Sequence, residues 1–127
     1  MQKRILLIED DQMVRETLNL LLSYQGYIVM ERSTGSELVE VVSEFKPDLI
    51  LMDIFLGEHN GRNLCRELKN LPLYQQIPIV IMSGSDDVYN SICEDSANDV
   101  LLKPFEERTL LSRIERQLTS NRTNFPL

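Results

Sequence analysis

The chain has one histidine and two cysteines in 127 residues. Cys65 and Cys93 fall in different predicted helices, without CxxC spacing and without a cluster of histidines. That excludes a zinc site or a redox pair and leaves two reduced thiols as the expectation. Basic residues are also scarce: 13 Lys and Arg stand against 20 Asp and Glu, a net charge of -7. Such a balance excludes a broad nucleic-acid or acidic-membrane surface, so no direct nucleic-acid partner is expected. Long apolar runs are missing as well. Met1-Gln2-Lys3-Arg4 leads into only four apolar residues before Glu9, far short of a signal-peptide core or a membrane span, and a cytoplasmic protein is expected. No internal repeat and no low-complexity tract occurs.

What is present is a regular alternation. Hydrophobic residues make up 43% of the chain, enough for one packed domain that buries about two-thirds of its unfolded surface. Stretches at about 4–8, 27–31, 48–52, 78–82 and 99–102 read as strands, each followed by a helical pattern, a (βα)5 rhythm. The first, third and fourth are continuous Ile, Leu, Val and Met, as strands covered on both faces require; Tyr27-Ile28-Val29-Met30-Glu31 reads as an edge. Helices are expected at 12–24, from Ser33-Thr34 to Pro47 with Thr34 and Glu37 at capping-box spacing, at 61–70, at 87–96 and at 106–119. The 87–96 helix has the fewest apolar residues and is expected to be the most mobile. Arg108, Arg113, Glu115 and Arg116 are expected on the outer face of the last helix. Residues 1–119 form one domain, and 120–127 read as a tail or the start of a linker.

Polar residues stand where the apolar runs stop: Glu9 and Asp10, Asp53, Ser83 and Lys103. In an open parallel sheet the carboxyl ends of the strands meet at one edge, where such folds bind ligands. Three carboxylates there repel one another by about 4 kcal/mol per pair at 4 Å and an effective dielectric near 20, so a cation is required. Oxygen-only donors favour Mg²⁺, with Mn²⁺ possible, and an ion with open positions suits phosphoryl transfer.

These residues, in this order, resemble a response-regulator receiver domain over about residues 3–119. The resemblance rests on Ile-Glu-Asp-Asp after the first strand, Asp53 ending the third, Gly61, Ser83-Gly84, and Lys103-Pro104-Phe105. It implies an α/β, flavodoxin-like, doubly wound fold with a parallel sheet in the order 2-1-3-4-5. Asp53 would accept a phosphoryl group from the phosphohistidine of a sensor histidine kinase or phosphotransfer protein, or from acetyl phosphate. Asp10 would bind the metal directly and Glu9 through water, joined by Asp53 and the backbone carbonyl of Phe55. Lys103 would contact the phosphoryl oxygens, and Ser83 would swing its hydroxyl onto them and reshape the face of the fourth helix, fifth strand and fifth helix. Lys103-Pro104 would be cis. The chain would be a signalling phospho-acceptor rather than an enzyme. Its output would pass to a partner, to a domain beyond Leu127, or through a homodimer on that same face.

Each residue also has a plainer reading. Glu9, Asp10 and Asp11 could cap the first helix, Asp53 could open a loop, Ser83 could sit in a turn, and Lys103 and His59 could be solvated; it is their joint placement that favours the site. Three positions depart from the family pattern. Val100 stands where an aromatic switch residue is common, which puts coupling by aromatic rotation in doubt. Gly57 replaces a proline and is expected to loosen its loop. Phe55 and Ser85 flank the path of a hydrolytic water without an acid or amide to orient it, so slow self-dephosphorylation is expected. A haloacid-dehalogenase-type phosphatase would need a second aspartate where Phe55 stands, and Glu9-Asp10-Asp11 would repel a flavin phosphate. A phosphorylation-independent binding module is the remaining alternative.

Overall fold

The computed structural model describes residues 2–85 and 96–123. Five parallel strands form one sheet: β1 (Arg4–Ile8), β2 (Ile28–Arg32), β3 (Leu49–Asp53), β6 (Ile79–Ser83) and β7 (Asp99–Leu102), in spatial order β2-β1-β3-β6-β7. Numbering the five in sequence gives the expected 2-1-3-4-5. The labels β4 (Phe55–Leu56) and β5 (His59–Asn60) belong to a small antiparallel hairpin between β3 and the next helix, which sequence reading did not anticipate.

Alternation along each strand divides the core into two layers. Ile5, Leu7, Leu49, Leu51, Val80, Met82 and Leu101 pack with Leu18 and Leu22 of α1 (Gln12–Tyr24) and with Leu110, Ile114 and Leu118 of the C-terminal helix (Glu107–Thr123). On the other face Leu6, Ile8, Ile50, Met52, Ile79, Ile81 and Val100 meet Leu38, Val42 and Phe45 of α2 (Leu38–Phe45) and Leu64, Cys65 and Leu68 of α3 (Gly61–Lys69). Strands buried on both faces are what continuous apolar runs predict. β2 lies at the sheet edge, with Ile28 and Met30 partly exposed.

Several local expectations change. The Thr34–Glu37 capping box does not form: Thr34 Oγ1 accepts from the Ser36 N–H at 3.2 Å, a local turn that competes with the cap, and α2 begins only after Glu37, which is left-handed at φ 54°. The C-terminal helix runs on to Thr123 instead of ending at 119. Arg113 and Arg116 are not on a purely outer face, because both reach back to Asp99. Residues 87–95 of the predicted 87–96 helix, Cys93 among them, lie outside the described residues, and Ser96 is left-handed at φ 63°.

Gly57 lies in the turn of the short β4–β5 hairpin. It takes φ 67° at the first central position of the two-residue turn joining β4 to β5, the place where a type II′ hairpin calls for glycine.

Candidate phosphoryl and cation site

Asp53 and Ser83 are the last residues of β3 and β6, one position earlier than residues just past the strand ends. The parallel register sets Asp53 beside Met82, so Ser83 follows directly on the neighbouring strand. Ile54 N–H donates to the Met82 carbonyl at 3.0 Å and Lys103 N–H to the Ser83 carbonyl at 2.7 Å, which carries the pairing one step beyond each strand. The loops leaving β1, β3, β6 and β7 therefore start from one level of the sheet.

At that level the Lys103 ammonium bridges two acids, 2.8 Å from Glu9 Oε1 and 3.1 Å from Asp53 Oδ2. Glu9 is 1% exposed and Asp53 7%, whereas Asp10 is exposed. Carboxylate oxygens of Glu9, Asp10 and Asp53 all lie within 4.8 Å of one another. Burial raises the Glu9 pKa, with the Asp53 charge adding, against the opposing hydrogen bonds from Lys103 and the Asp11 N–H. For Lys103, burial alone would lower the pKa, but the hydrogen bonds and charges of Glu9 and Asp53 outweigh it and the net shift is upward. One ammonium thus pairs with two of the three clustered carboxylates, and the cluster carries more negative than positive charge. An all-oxygen donor set of this size, with a carboxyl pushed up by burial, fits a hard divalent cation such as Mg²⁺.

The surrounding loops hold this geometry. Asp11 caps α1, its Oδ1 accepting from the Val14 N–H at 3.1 Å, and is thereby separated in role from its two acidic neighbours. Asn60 caps α3 through the Arg62 N–H at 2.8 Å. At Gly61 the backbone passes so close to the Asp53 carbonyl oxygen that a Cβ would overlap it, and Gly61 N–H donates to the Ile54 carbonyl at 2.7 Å. Only glycine lets α3 start there without displacing Asp53.

Ser83 is fully buried, and its Oγ accepts from the Ser85 N–H at 3.1 Å. Phe55 lies two residues past Asp53 and is 64% exposed. Val100 is 2% exposed within the α2–α3 layer, so no side chain at that position is available to swing to the surface. Lys103-Pro104 is cis. His59, in the hairpin, approaches Ser36 at 3.5 Å and is not among the clustered residues.

A third buried acid was not singled out from sequence. Asp99 opens β7 at the opposite edge of the sheet, 4% exposed. It accepts from Arg113 at 2.8 Å, from Arg116, from Gln117 at 3.3 Å and from the Val100 N–H at 2.9 Å. The available signal was Asp99 with Arg113 and Arg116, both on one face of the following helix, but an aspartate at a strand start reads equally well as a loop residue.

Comparison with known proteins agrees with this geometry. The family model of the response regulator receiver domain matches residues 5–115. The chain is 32% identical over 123 residues to the DNA-binding response regulator MtrA of Mycolicibacterium smegmatis, covering 95% of this chain and 53% of that protein. It is 34% identical over 117 residues to the response regulator MprA of Mycobacterium leprae, covering 91% of this chain and 50% of that one. The chain therefore spans about half the length of these curated relatives. Among solved structures, the receiver domain of a signal transduction histidine kinase from Syntrophus aciditrophicus superposes with a TM-score of 0.87 at 29% identity, covering 98% of this chain and 96% of that one. The receiver domain of the sensor histidine kinase PA1611 from Pseudomonas aeruginosa, solved with a magnesium ion in its active-site cleft, gives 0.84 at 25% identity, covering 94% and 99%. With the fold, the strand-end acids and the family match in agreement, the chain belongs to the response-regulator receiver domains of two-component signalling systems.

Proposed function

We propose that Asp53 is the phospho-acceptor, and that the pocket formed with Glu9, Asp10 and Lys103 takes up a phosphoryl group in a Mg²⁺-dependent reaction. The observation that carries this reading is the Lys103 ammonium placed 3.1 Å from Asp53 within a cluster of three carboxylates. An Asp53 carboxylate oxygen attacks phosphorus, and the bond to the donor breaks with its electron pair leaving on the donor, an imidazole nitrogen in the case of a phosphohistidine. Lys103 is placed to exchange a carboxylate partner for a phosphoryl oxygen. Asp10 and Asp53, with Glu9 through water and the Phe55 carbonyl, would hold a Mg²⁺ ion, which when bound would supply charge that offsets the repulsion between an incoming phosphate and these acids. The chain itself turns over no other substrate.

The partner that delivers the phosphoryl group is a sensor histidine kinase or a phosphotransfer protein. An apolar groove of about 630 Å³ opens beside Lys103, between Met13, Val14, Thr17 and Leu21 of α1 and Phe105 and Leu110 on the other side. A helix of the donor lying there would bring its histidine to the pocket. Ser83 reports the modification by turning its hydroxyl from the Ser85 N–H to the phosphoryl group. With Val100 locked in the core, the change spreads through β7 and the C-terminal helix rather than through a rotating aromatic ring. Output then passes to a partner or to a domain beyond Leu127. The chain works in the cytoplasm; among the described residues no helix is long and apolar enough to cross a membrane.

Intact-mass measurement after incubation with acetyl phosphate tests the reading. Wild type should gain one phosphoryl group only when Mg²⁺ is present, and Asp53→Asn should gain none. Binding of a partner without any adduct on wild type would instead establish a phosphorylation-independent module.

A further inference from the structure

The pocket's first two acids come from the turn Ile8-Glu9-Asp10-Asp11, and that turn has to be fixed before either carboxylate can be aimed. Two of its restraints are local to the sheet and the helix start: Glu9 N–H donates to the Arg32 carbonyl of β2 at 3.0 Å, and Asp11 N–H donates to Glu9 Oε2 at 3.2 Å. A third comes from a largely buried cation. Arg15, one turn into α1, reaches back and donates from Nη1 to the Glu9 carbonyl at 2.8 Å.

Arg15 is itself held by a chain of side chains. Its Nε lies 3.4 Å from Glu31 Oε1 on β2. The other Glu31 oxygen accepts from Asn19 at 2.6 Å, and Asn19 Oδ1 accepts from the Ser23 hydroxyl at 2.7 Å. Among the described residues, no side-chain hydrogen bond or ion pair holds the Asp10 carboxylate, so its direction is set by the main chain. The Glu9 carbonyl and the Asp10 N–H belong to one planar peptide unit, and a guanidinium on that oxygen fixes the plane from which Asp10 departs.

We infer that Arg15 is a positioning residue for the divalent-cation site: acting through the Glu9 carbonyl it aims Asp10, while Glu31, Asn19 and Ser23 keep Arg15 in place. The inference rests on the Mg²⁺ reading given above. Simple electrostatics and positioning predict opposite signs, and that opposition makes the inference decidable. Removing a cation from beside a cation site should tighten Mg²⁺ binding if charge alone matters, and should weaken it if Arg15 aims a ligand.

The experiment is isothermal titration of the metal-free protein with MgCl₂, with circular dichroism to confirm folding. Arg15→Met is expected to bind Mg²⁺ about tenfold more weakly than wild type, the usual size of a loss behind a metal ligand. Arg15→Lys, which keeps the charge and one donor, should recover part of that loss. Unchanged or tighter binding by Arg15→Met, or no recovery in Arg15→Lys, overturns the inference. If Arg15→Met does not fold, Asn19→Ala carries the test, because it loosens Glu31 while leaving every charge in place. About twofold weaker binding is then expected and unchanged binding is contrary. No Mg²⁺ binding by wild type would remove the metal reading and this inference together, whereas normal binding by both wild type and Arg15→Met would remove only this one.

Discussion

The two edges of the sheet hold buried acids in opposite electrostatic conditions. At the carboxyl edge, the ammonium of Lys103 contacts Glu9 and Asp53, two of three clustered carboxylates, and among the described residues no ion pair reaches the third, Asp10. At the amino edge one carboxylate, Asp99, has two guanidinium groups, a side-chain amide and a backbone N–H. Buried charge is tolerated where hydrogen bonds and counter-charge satisfy it. Asp99 is satisfied within the chain, and the result is a clamp between β7 and the C-terminal helix. The Glu9–Asp10–Asp53 cluster is not, and the deficit is what a cation and a phosphoryl group can fill. Carboxylates thus build a closed structural contact at one edge of the sheet and an open site at the other, according to how many cations the fold brings to them.

Removing the Lys103 ammonium tests the first half of that contrast and should have the largest effect on stability. Lys103→Met leaves Glu9 and Asp53 buried without the cation they share and is expected to cost about 3 kcal/mol in Mg²⁺-free urea unfolding. Because the added ion takes over the missing charge, Mg²⁺ should recover a larger share of stability in this variant than in wild type. Asp99→Ala is the matching change at the other end. Its arginines are partly solvated, with side-chain exposures of 33% and 59%, so they lose less and the expected cost is smaller, about 2 kcal/mol. That cost should be the same with and without Mg²⁺. If Mg²⁺ rescued Asp99→Ala as strongly as Lys103→Met, the two ends would not differ in the way described.

The open end was legible in sequence and the closed end was not, for a physical reason. Glu9, Asp53, Ser83 and Lys103 each follow a run of apolar residues, and a parallel sheet brings such positions to one edge whatever the details of packing. Asp99 depends on where Arg113 and Arg116 point, which is decided only when the C-terminal helix docks through Leu110, Ile114 and Leu118. Arg15 was missed for a similar reason: an arginine on a polar helix face gives no sign that it will fold back onto the Glu9 carbonyl. The Thr34–Glu37 cap was read in error because capping-box spacing does not say whether the threonine will close a local turn first. The hairpin turn at Gly57 was not foreseen because its strands have only two residues each, below any periodicity that could announce them.

The finest test of the contrast is the pH dependence of the open end. Glu9 has its pKa raised above the ordinary 4.5, chiefly by burial. A carboxyl raised in the folded state binds its proton more tightly there than in the unfolded chain. Its contribution to stability is therefore fully present below the ordinary value and is lost as pH rises through the folded one. Lys103 is raised above 10.5 and stays cationic through that whole window, so it does not mask the effect. In Mg²⁺-free buffer, wild type should lose stability as pH climbs from the ordinary glutamate range, and Glu9→Gln should lack this part of the loss. Urea midpoints measured across the window give the comparison directly, and Mg²⁺ should flatten the wild-type slope by favouring the ionised carboxylate. Equal slopes in wild type and Glu9→Gln would mean that Glu9 bears no net penalty, and the pocket would then be as well satisfied as the clamp around Asp99.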